Sequence, residues 1–268
     1  MPRYLRHVTL TGVDETTDFD ALVRLTGAYP FAEWGVLYST AQAGTTPRYP
    51  RLDWITEFAR KANDHVLGIA LHLCGAVVPK LLAQVSSGDC SHPVLELCAQ
   101  FGRVQLNVNA ASRRNIPHAA YRKLIEVLSR TSRCIVQLHA GNASLVDFLL
   151  SQEIPRLDIL LDESGGRGEE TSAWPDLDWE TRFRRVGFAG GIGPLNMADK
   201  LRGIANLPLT SPFWVDMESR VRNEADQFDL QRCALVLQQA QAFADEQEAS
   251  AGALCGVGQT GQPPVPGS

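Results

Sequence analysis

Short apolar runs rich in β-branched residues recur along the chain, and amphipathic stretches separate them. After the first run, for example, Phe19, Leu22 and Val23 follow the i, i+3, i+4 spacing of a helix face, behind acidic and hydroxyl residues suited to capping a helix. The runs predict eight strands, within residues 7–14, 32–40, 65–74, 103–110, 134–142, 157–163, 186–192 and 213–221.

The alternation of strands and helices predicts a parallel sheet. A helix that crosses over between two strands makes them point the same way, and the repeats here are roughly 25 to 35 residues long. Eight such units in 268 residues most economically form a single-domain (β/α)8 TIM barrel of the α/β class, over residues 1–245. An open, doubly wound sheet is the alternative.

The end of the chain differs in composition. Residues 246–268 are poor in bulky side chains and rich in Gly, Pro, Ser and Gln. Because such a segment has little apolar surface to bury, we expect a disordered C-terminal tail there.

Composition and charge narrow the class of partner. With 44% hydrophobic residues, 21% charged residues and a net charge of -5, the chain is mildly acidic, which argues against electrostatically driven binding to nucleic acid or to an anionic membrane. A small-molecule partner is expected, and the oligomeric state is not specified. No apolar run suits a signal peptide or approaches the ~20 residues of a membrane span, so we expect a cytoplasmic protein. The six cysteines form no CxxC pair, which favours reduced thiols over disulfides or a zinc site.

Polar side chains occupy alternate positions of the strands and therefore share one face. In a barrel the outer face packs against helices, so we expect this polar set to point inward, near the carboxyl ends of the strands. The alternative is a polar core whose Gln, Asn and Thr side chains satisfy one another. The set is Thr9, Thr11, His72, Cys74, Gln105, Asn107, Asn109, Gln137, His139, Asp162, Ser164, Asp216 and Glu218.

The seventh run ends in a glycine turn. Gly190, Gly191 and Gly193 precede Pro194 and the helix-like segment MADKLRGI. Without side chains, the glycine N–H groups are able to approach an anion, and the start of the helix adds its positive dipole end. The turn is therefore either an anion site or a plain connection between strand and helix.

Several segments together resemble one enzyme family. The stretches LLDESGGRG (160–168), DLDW (176–179), FAGGIGPLNM (188–197) and VDMESRVR (215–222) are similar to LLDS with GGTG, F-D-W, LAGGL-x-x-x-N and VDVSSGVE of phosphoribosylanthranilate isomerase, a (β/α)8 enzyme of tryptophan synthesis. TPRYPR (46–51) resembles the family's SPRY loop, and TLTG (9–12) stands where the family has KICG. VQLH (136–139) is similar to its VQLHG, but falls on the fifth run, and VQLN stands on the fourth.

The resemblance implies roles for several residues. Asp162 would be the general acid, and Arg48 would hold a substrate carboxylate. The turns after the seventh and eighth strands, with the glycine-rich loop, would bind phosphate; their residues are Gly166, Gly190, Gly191, Ser219 and Arg220. From the inward polar set, we expect His72, Asn107 and Asp216 to contact substrate.

The resemblance breaks at the catalytic base. Thr11 stands in place of the family's cysteine, and Thr9 in place of the preceding lysine. A threonine hydroxyl is too weakly acidic to shuttle a carbon-bound proton near neutral pH, whereas a thiol with a pKa of about 8.5 is able to do so. The Amadori rearrangement of the family thus lacks its usual base, for which Glu218 or His139 is the expected replacement.

Each candidate also has a structural interpretation. Asp162 would otherwise cap a helix or pair with Arg167, Arg48 would be a solvated loop charge, and His72 and His139 would be satisfied core histidines. Asp216 and Glu218 form either a paired-carboxylate acid/base unit or a site in which one carboxylate holds an arginine. In the eighth turn, Arg220 or Arg222 either grips an anion or joins Glu218 in a salt bridge across the barrel mouth.

These observations predict an enzyme of a small phosphorylated sugar-type metabolite, an isomerase or lyase related to phosphoribosylanthranilate isomerase. The substrate is expected to carry a phosphate or carboxylate. No histidine or aspartate pair has metal-ligand spacing on one strand, so no metal or cofactor is predicted. One alternative is a non-catalytic phosphometabolite-binding protein that lost the base. Another is a weak isomerase that tolerates Thr11.

Overall fold

The computed structural model describes residues 5–107, 116–162, 174 and 185–256. Its strands form a closed parallel barrel in which each strand pairs with the next and β1 pairs with β8, which confirms the predicted TIM barrel and removes the open-sheet alternative. The strands are β1 (Leu5–Thr11), β2 (Ala32–Tyr38), β3 (Gly68–Leu73), β4 (Arg103–Leu106), β5 (Arg133–Leu138), β6 (Leu157–Leu161), β7 (Val186–Phe188) and β8 (Phe213–Met217).

The described residues contain eight α-helices, which surround the barrel. They are α1 (Phe19–Ala28), α2 (Leu52–Asp64), α3 (Val77–Ser87), α4 (Pro93–Cys98), α5 (His118–Leu128), α6 (Ala143–Ser151), α7 (Met197–Ala205) and α8 (Leu230–Gly256). Short 3₁₀ helices follow β5 and β8, at Ala140–Asn142 and Ser219–Val221. Helix α1 begins as its sequence suggests, because the Asp18 side chain accepts hydrogen bonds from the N–H groups of Asp20 and Ala21.

The two faces of each strand divide the core as the alternation predicts. Val8 and Leu10 of β1, for example, belong to the large apolar cluster, which the helices share. Inside the barrel, Ile135, Leu160, Ala189 and Trp214 form a small apolar cluster of their own.

This inner cluster lies between polar residues along the strands. On β5 the inward positions run from Arg133 through Ile135 to Gln137, and β6 runs from Asp158 through Leu160 towards Asp162. The barrel interior therefore has an apolar middle, with one polar layer at each end.

The C-terminal region corrects one prediction. Helix α8 continues to Gly256, whereas composition placed a disordered tail from residue 246. The alanine, glutamate and glutamine residues of segment 246–254 are good helix formers, and they extend a helix that the barrel has already nucleated. Residues 257–268 lie outside the described part of the chain.

Other predictions have mixed outcomes. No disulfide joins the five cysteines Cys74, Cys90, Cys98, Cys134 and Cys233 in the described part of the chain, and their reduced state stays a prediction. No helix in the described ranges has the length and apolar character to cross a membrane. Some predictions concern residues outside the described part of the chain: Asn109, Ser164, Gly166, Arg167 and most of a helix near 177–185.

Candidate active site

A cavity of about 300 Å³ opens at the carboxyl ends of the strands, where the inward polar set was expected to lie. Two residues that the sequence did not single out, Tyr49 and Ile192, also line it. Of the predicted site residues, its lining includes Arg48, His72, Asn107, Asp162, Gly190, Gly191, Asp216, Glu218, Ser219 and Arg220. The alternation of polar residues thus placed positions at the ends of β3, β4, β6 and β8 in one cavity, and the loops after β2, β7 and β8 supply the other residues.

Asp216 is the buried carboxyl at the base of this cavity. Its side chain is on β8, and its Oδ1 accepts a hydrogen bond of 2.9 Å from the Thr11 hydroxyl on β1. His72 of β3 places Nε2 3.6 Å from Asp216 Oδ2 and 3.5 Å from Thr11 Oγ1. Asp216 Oδ2 itself is buried without a hydrogen bond among the described residues. Thr11 therefore holds one carboxyl oxygen, and the other lies beside the His72 ring.

Burial sets the protonation of this group. It raises the pKa of Asp216 to about 7, and the hydrogen bond from Thr11 opposes the rise only in part. Burial also lowers the pKa of His72 to about 4, so the imidazole is neutral at physiological pH. Near neutral pH, Asp216 therefore exchanges a proton readily beside an uncharged histidine.

Cys74 does not supply the thiol that Thr11 lacks. Burial raises the pKa of Cys74 to about 12, because the thiolate would be poorly solvated. Its Sγ accepts from Asn107 Nδ2 at 3.1 Å, and Asn107 Oδ1 accepts from Gln105 Nε2 at 2.7 Å. This chain of contacts supports the interpretation of these three residues as a mutually satisfied polar core, with only Gln105 Oε1 left without a described partner.

Asp162 and His139 are in different places. Asp162 lines the cavity just past β6, and its Oδ2 accepts from Gln137 Nε2 at 3.3 Å. His139 is outside the cavity lining: its Nδ1 accepts from the Gly141 N–H at 3.2 Å and caps the 3₁₀ helix after β5. The histidine is thus positioned to start a helical turn rather than to face the same space as Asp162.

Arg48, in the loop after β2, is neutralised by carboxylates from the loop after β8, and only β1 separates these two strands. It forms an ion pair with Glu218 and a two-pronged contact with Asp226, with distances of 3.2 Å from Nε to Oδ2 and 2.7 Å from Nη2 to Oδ1. The interpretation in which one carboxylate holds an arginine therefore applies to Glu218, although its arginine comes from the loop after β2.

Arg222 extends this network and is unavailable to an anion. Its buried guanidinium contacts Asp14 Oδ2 at 3.0 Å and Asp226 Oδ1 at 2.9 Å, and donates to the Gly12 carbonyl oxygen. Asp14 and Asp226 were not predicted from the sequence to be part of this network. The i, i+4 spacing of Arg222 and Asp226 was a usable signal, whereas nothing local linked Asp14 to a residue more than 200 positions away.

The glycine turn after β7 has the backbone shape that its sequence suggested. Gly190 and Gly191 have φ angles of 107° and 62°, in the region that favours glycine. Asn196 closes the turn: its Oδ1 accepts from the Gly193 N–H at 2.9 Å, and its Nδ2 donates to the Gly191 carbonyl at 3.0 Å. Within the described ranges, the N–H groups of Gly190 and Gly191 have no hydrogen-bond acceptor.

Arg220 completes this corner of the cavity. A Cβ at Gly193 would overlap Arg220 Cβ, so glycine is needed for the β7 and β8 loops to approach this closely. Arg220 is exposed, lines the cavity and has no ion-pair partner in the described part of the chain. Free N–H groups and an unneutralised guanidinium therefore meet beside Ser219.

Comparison with known proteins supports the fold. No protein-family model matches the chain, and no curated protein matches it significantly. Phosphoribosylanthranilate isomerase from Thermotoga maritima is similar in structure, with a TM-score of 0.55, 19% identity, and coverage of 89% of this chain and 100% of that one. The isomerase from Thermus thermophilus has a TM-score of 0.53 and 18% identity, with coverage of 88% of this chain and 98% of that one.

A second enzyme class shares the architecture. A truncated 3-deoxy-D-arabino-heptulosonate 7-phosphate synthase from Thermotoga maritima gives a TM-score of 0.54 with 11% identity, over 91% of this chain and 88% of that one. At such identities the likeness concerns the fold. The chain is a closed (β/α)8 barrel similar in structure to phosphoribosylanthranilate isomerases, as the sequence motifs predicted.

Proposed function

We propose that this protein is an enzyme that acts on a small phosphorylated sugar-type metabolite, as an isomerase or lyase that moves a proton within its substrate. The observation that carries the proposal is the Asp216 carboxyl, buried at the cavity base with one oxygen unpaired and a pKa of about 7. A carboxyl of this kind is costly for stability and suited to proton transfer near neutral pH.

The phosphate would bind at the loops that follow β7 and β8. The free N–H groups of Gly190 and Gly191 and the Arg220 guanidinium offer hydrogen bonds and positive charge to it. A phosphoribosylanthranilate isomerase of similar fold has been crystallised with reduced 1-(o-carboxyphenylamino)-1-deoxyribulose 5-phosphate, and this complex supports the proposal of a phosphosugar ligand.

Asp216 is our proposed general base, in preference to Glu218 and His139. Glu218 is held in an ion pair by Arg48, and His139 caps a helical turn outside the cavity lining. Ionised Asp216 would take a proton from a carbon next to a carbonyl group, and Asp162 would deliver a proton to the substrate on another side. Exchange of protons with solvent would then return Asp216 to its ionised form and Asp162 to its protonated form, so the cycle balances without a change of oxidation state.

The substrate should differ from that of the isomerase family at its second end. Arg48, the residue that the resemblance assigns to a carboxylate, already faces Glu218 and Asp226. A substrate carboxylate there would be repelled by two like charges unless it displaced one of them. We therefore propose an uncharged group at this end, which makes survival of the family's own reaction the weaker hypothesis.

A non-catalytic phosphometabolite-binding protein remains the second candidate. Thr11 in place of a catalytic cysteine favours a binding protein, because its hydroxyl already donates a hydrogen bond to Asp216. The two candidates predict the same ligand and differ in whether proton transfer occurs.

The test combines binding with proton exchange. Ribose 5-phosphate, ribulose 5-phosphate and inorganic phosphate are screened for a rise in melting temperature, since a ligand of the folded state stabilises it by mass action. Compounds that bind are then incubated with the protein in D2O, and NMR follows deuterium incorporation and new products.

Matched variants assign the roles. Asp216→Asn and Asp162→Asn should abolish exchange and keep the thermal shift, Arg220→Gln should weaken the shift, and Glu126→Gln on the exposed side of α5 should change neither. Binding without exchange for every phosphosugar would favour the non-catalytic protein. Shifts produced only by unphosphorylated acids would overturn the phosphate site.

A further inference from the structure

A second cavity of about 300 Å³ lies at the amino ends of the strands, on the other side of the apolar middle of the barrel. The first residues of β4 and β5, Arg103 and Arg133, line it together with Arg185, which directly precedes β7. Barrel enzymes place their chemistry at the carboxyl ends, so the proposed reaction makes no use of this end.

The cavity has more positive than negative charge. Glu33 Oε2 contacts Arg103 Nη1 at 2.8 Å, and Asp158 holds Arg133 through contacts of 2.5 and 3.0 Å. Four arginines line the cavity, Arg6, Arg103, Arg133 and Arg185, against two carboxylates, Glu33 and Asp158. The lining thus has an excess of two positive charges.

Among the described residues that line the cavity, neither a charged histidine nor a further carboxylate compensates this excess. His7 accepts a hydrogen bond from Arg6 Nε at 3.2 Å, and burial lowers its pKa to about 4, so it is neutral. The Arg185 guanidinium has no hydrogen-bond or ion-pair partner in the described part of the chain, and burial with Arg133 nearby lowers its pKa. A purely structural network would be expected to pair this arginine.

Two of the side chains that line this cavity also carry buried donors without a partner. Arg103 and Trp214 are only 4% and 3% exposed, yet Arg103 Nη2 and Trp214 Nε1 have no hydrogen-bond partner among the described residues. Both side chains line the cavity, and they are fixed against each other because the Arg103 guanidinium carbon is 4.1 Å from the centroid of the Trp214 ring. Buried polar groups normally have a partner, so an acceptor is missing here.

We propose that the N-terminal cavity is a second anion site, which binds a phosphate group between Arg103 and Arg185. A doubly charged phosphate matches the charge excess, and its oxygens accept from the guanidinium and indole N–H groups. The phosphate is either a free ion or part of a small metabolite, since the cavity is larger than the ion alone. The site is independent of the reaction proposed at the other end.

Isothermal titration calorimetry with inorganic phosphate tests the site. The wild-type chain should bind two phosphates, Arg185→Gln should lose one of them, and Arg220→Gln should lose the other. The variant Arg185→Gln should keep or raise the melting temperature measured without phosphate, because it removes a partly buried, unpaired charge. Arg185→Lys should restore part of the binding.

The two sites fail separately. The N-terminal site is supported if Arg220→Gln still binds phosphate and the double variant, which also carries Arg185→Gln, does not. Equal stoichiometry and affinity in wild type and Arg185→Gln overturn it, and leave the proposed function intact. In Arg220→Gln, displacement of phosphate by glycerol 3-phosphate identifies a metabolite-borne group, whereas binding of inorganic phosphate alone identifies the free ion.

Discussion

At the scale of single residues, Asp216 should make stability depend on pH in a defined direction. Its pKa is raised from 3.8 to about 7, so between these values the folded protein holds a proton that the unfolded chain releases. The free energy of unfolding therefore falls as pH rises through this window. In Asp216→Asn, which does not titrate, stability relative to wild type should improve by up to about 4 kcal/mol from pH 4 to pH 8.

Urea unfolding of both proteins at a series of pH values measures this difference. Taking the difference removes the opposite effect of His72, whose lowered pKa gives stability that is lost as pH falls from about 6.5 towards 4. A difference that stays constant over the whole range would show that Asp216 is ionised like an exposed carboxyl.

The same group should shape the pH profile of activity. If ionised Asp216 is the base, the rate of deuterium exchange into a bound phosphosugar rises about tenfold per pH unit below pH 7 and levels off above it. The profile is measured at saturating substrate, so that ligand binding does not contribute. A rate that falls through pH 7 would instead require a protonated group.

Gly187 should be the glycine of the barrel interior that least tolerates a side chain. A Cβ there would overlap the indole ring of Trp214, which is held on its other side by Arg103. Gly187→Ala should cost about 1–3 kcal/mol through overpacking. Gly203→Ala in α7, where a Cβ meets nothing within 4 Å, should stabilise the protein by up to about 1 kcal/mol.

Thermal melts of the two alanine variants, side by side, provide the measurement. Opposite shifts are expected from one chemical change, because only the surroundings differ. A neutral Gly187→Ala would mean that Trp214 moves aside without loss, and its contact with Arg103 would then be weak.

At the scale of elements, the buried Arg222–Asp14 pair fastens the loop after β8 to the loop after β1. Asp14 also accepts from the Phe228 N–H at 2.8 Å, so one carboxylate serves two segments. Asp14→Ala removes one of the two carboxylates that pair with the buried Arg222, and also the acceptor of the Phe228 N–H, and should cost about 3 kcal/mol. Glu126→Ala, which removes an exposed i, i+4 partner of Arg122 on α5, should cost less than about 1 kcal/mol.

Urea midpoints of the two variants compare a buried pair with an exposed one. Asp14→Glu should restore only part of the lost stability, because Asp14 also bonds Thr16 within its own turn. A cost near that of Glu126→Ala would indicate that water reaches Arg222 when its partner is removed.

Elements also show where sequence patterns succeed and where they stop. The strands are local features, because each is a run of apolar residues, and the alternation within β3, β4 and β8 placed His72, Gln105 and Asp216 inside the barrel. The same alternation extends towards the N-terminal ends of β4 and β6, to Arg103 and Asp158. The polar layer at the N-terminal end of the barrel was therefore also predictable from the sequence.

The contacts between loops could not be predicted from the alternation of residues within a strand. Arg48 and Asp226 are 178 residues apart, and only closure of the barrel brings the loops after β2 and β8 together. The assignment of Arg48 to a substrate carboxylate rested on resemblance, which specified a position and left open which acidic residues surround it. The helix beyond residue 246 was not predicted for another reason. The average composition of residues 246–268 is typical of a disordered tail, whereas the first part of this segment favours a helix.

At the scale of the whole molecule, the barrel separates two anion-attracting ends by an apolar middle. Ile135, Leu160, Ala189 and Trp214 form that middle, and each cavity touches it from its own side. Because this apolar layer separates them, changes at one end should leave ligand binding at the other unchanged, so their effects should add.

The barrel should also be complete without the end of α8. The last buried side chains of this helix in the described region are Phe243 and Ala244, at 3% and 1% exposure. Beyond them, Arg202 contacts Glu246 at 3.9 Å in an exposed pair, which contributes at most about 1 kcal/mol. Deleting residues 246–268 should therefore change the free energy of unfolding by no more than about 1 kcal/mol, whereas Phe243→Ala in the full chain should cost about 3–5 kcal/mol. Urea unfolding and ligand-induced thermal shifts of both proteins decide the point, because a truncated chain that loses several kcal/mol must have lost packing from its final residues.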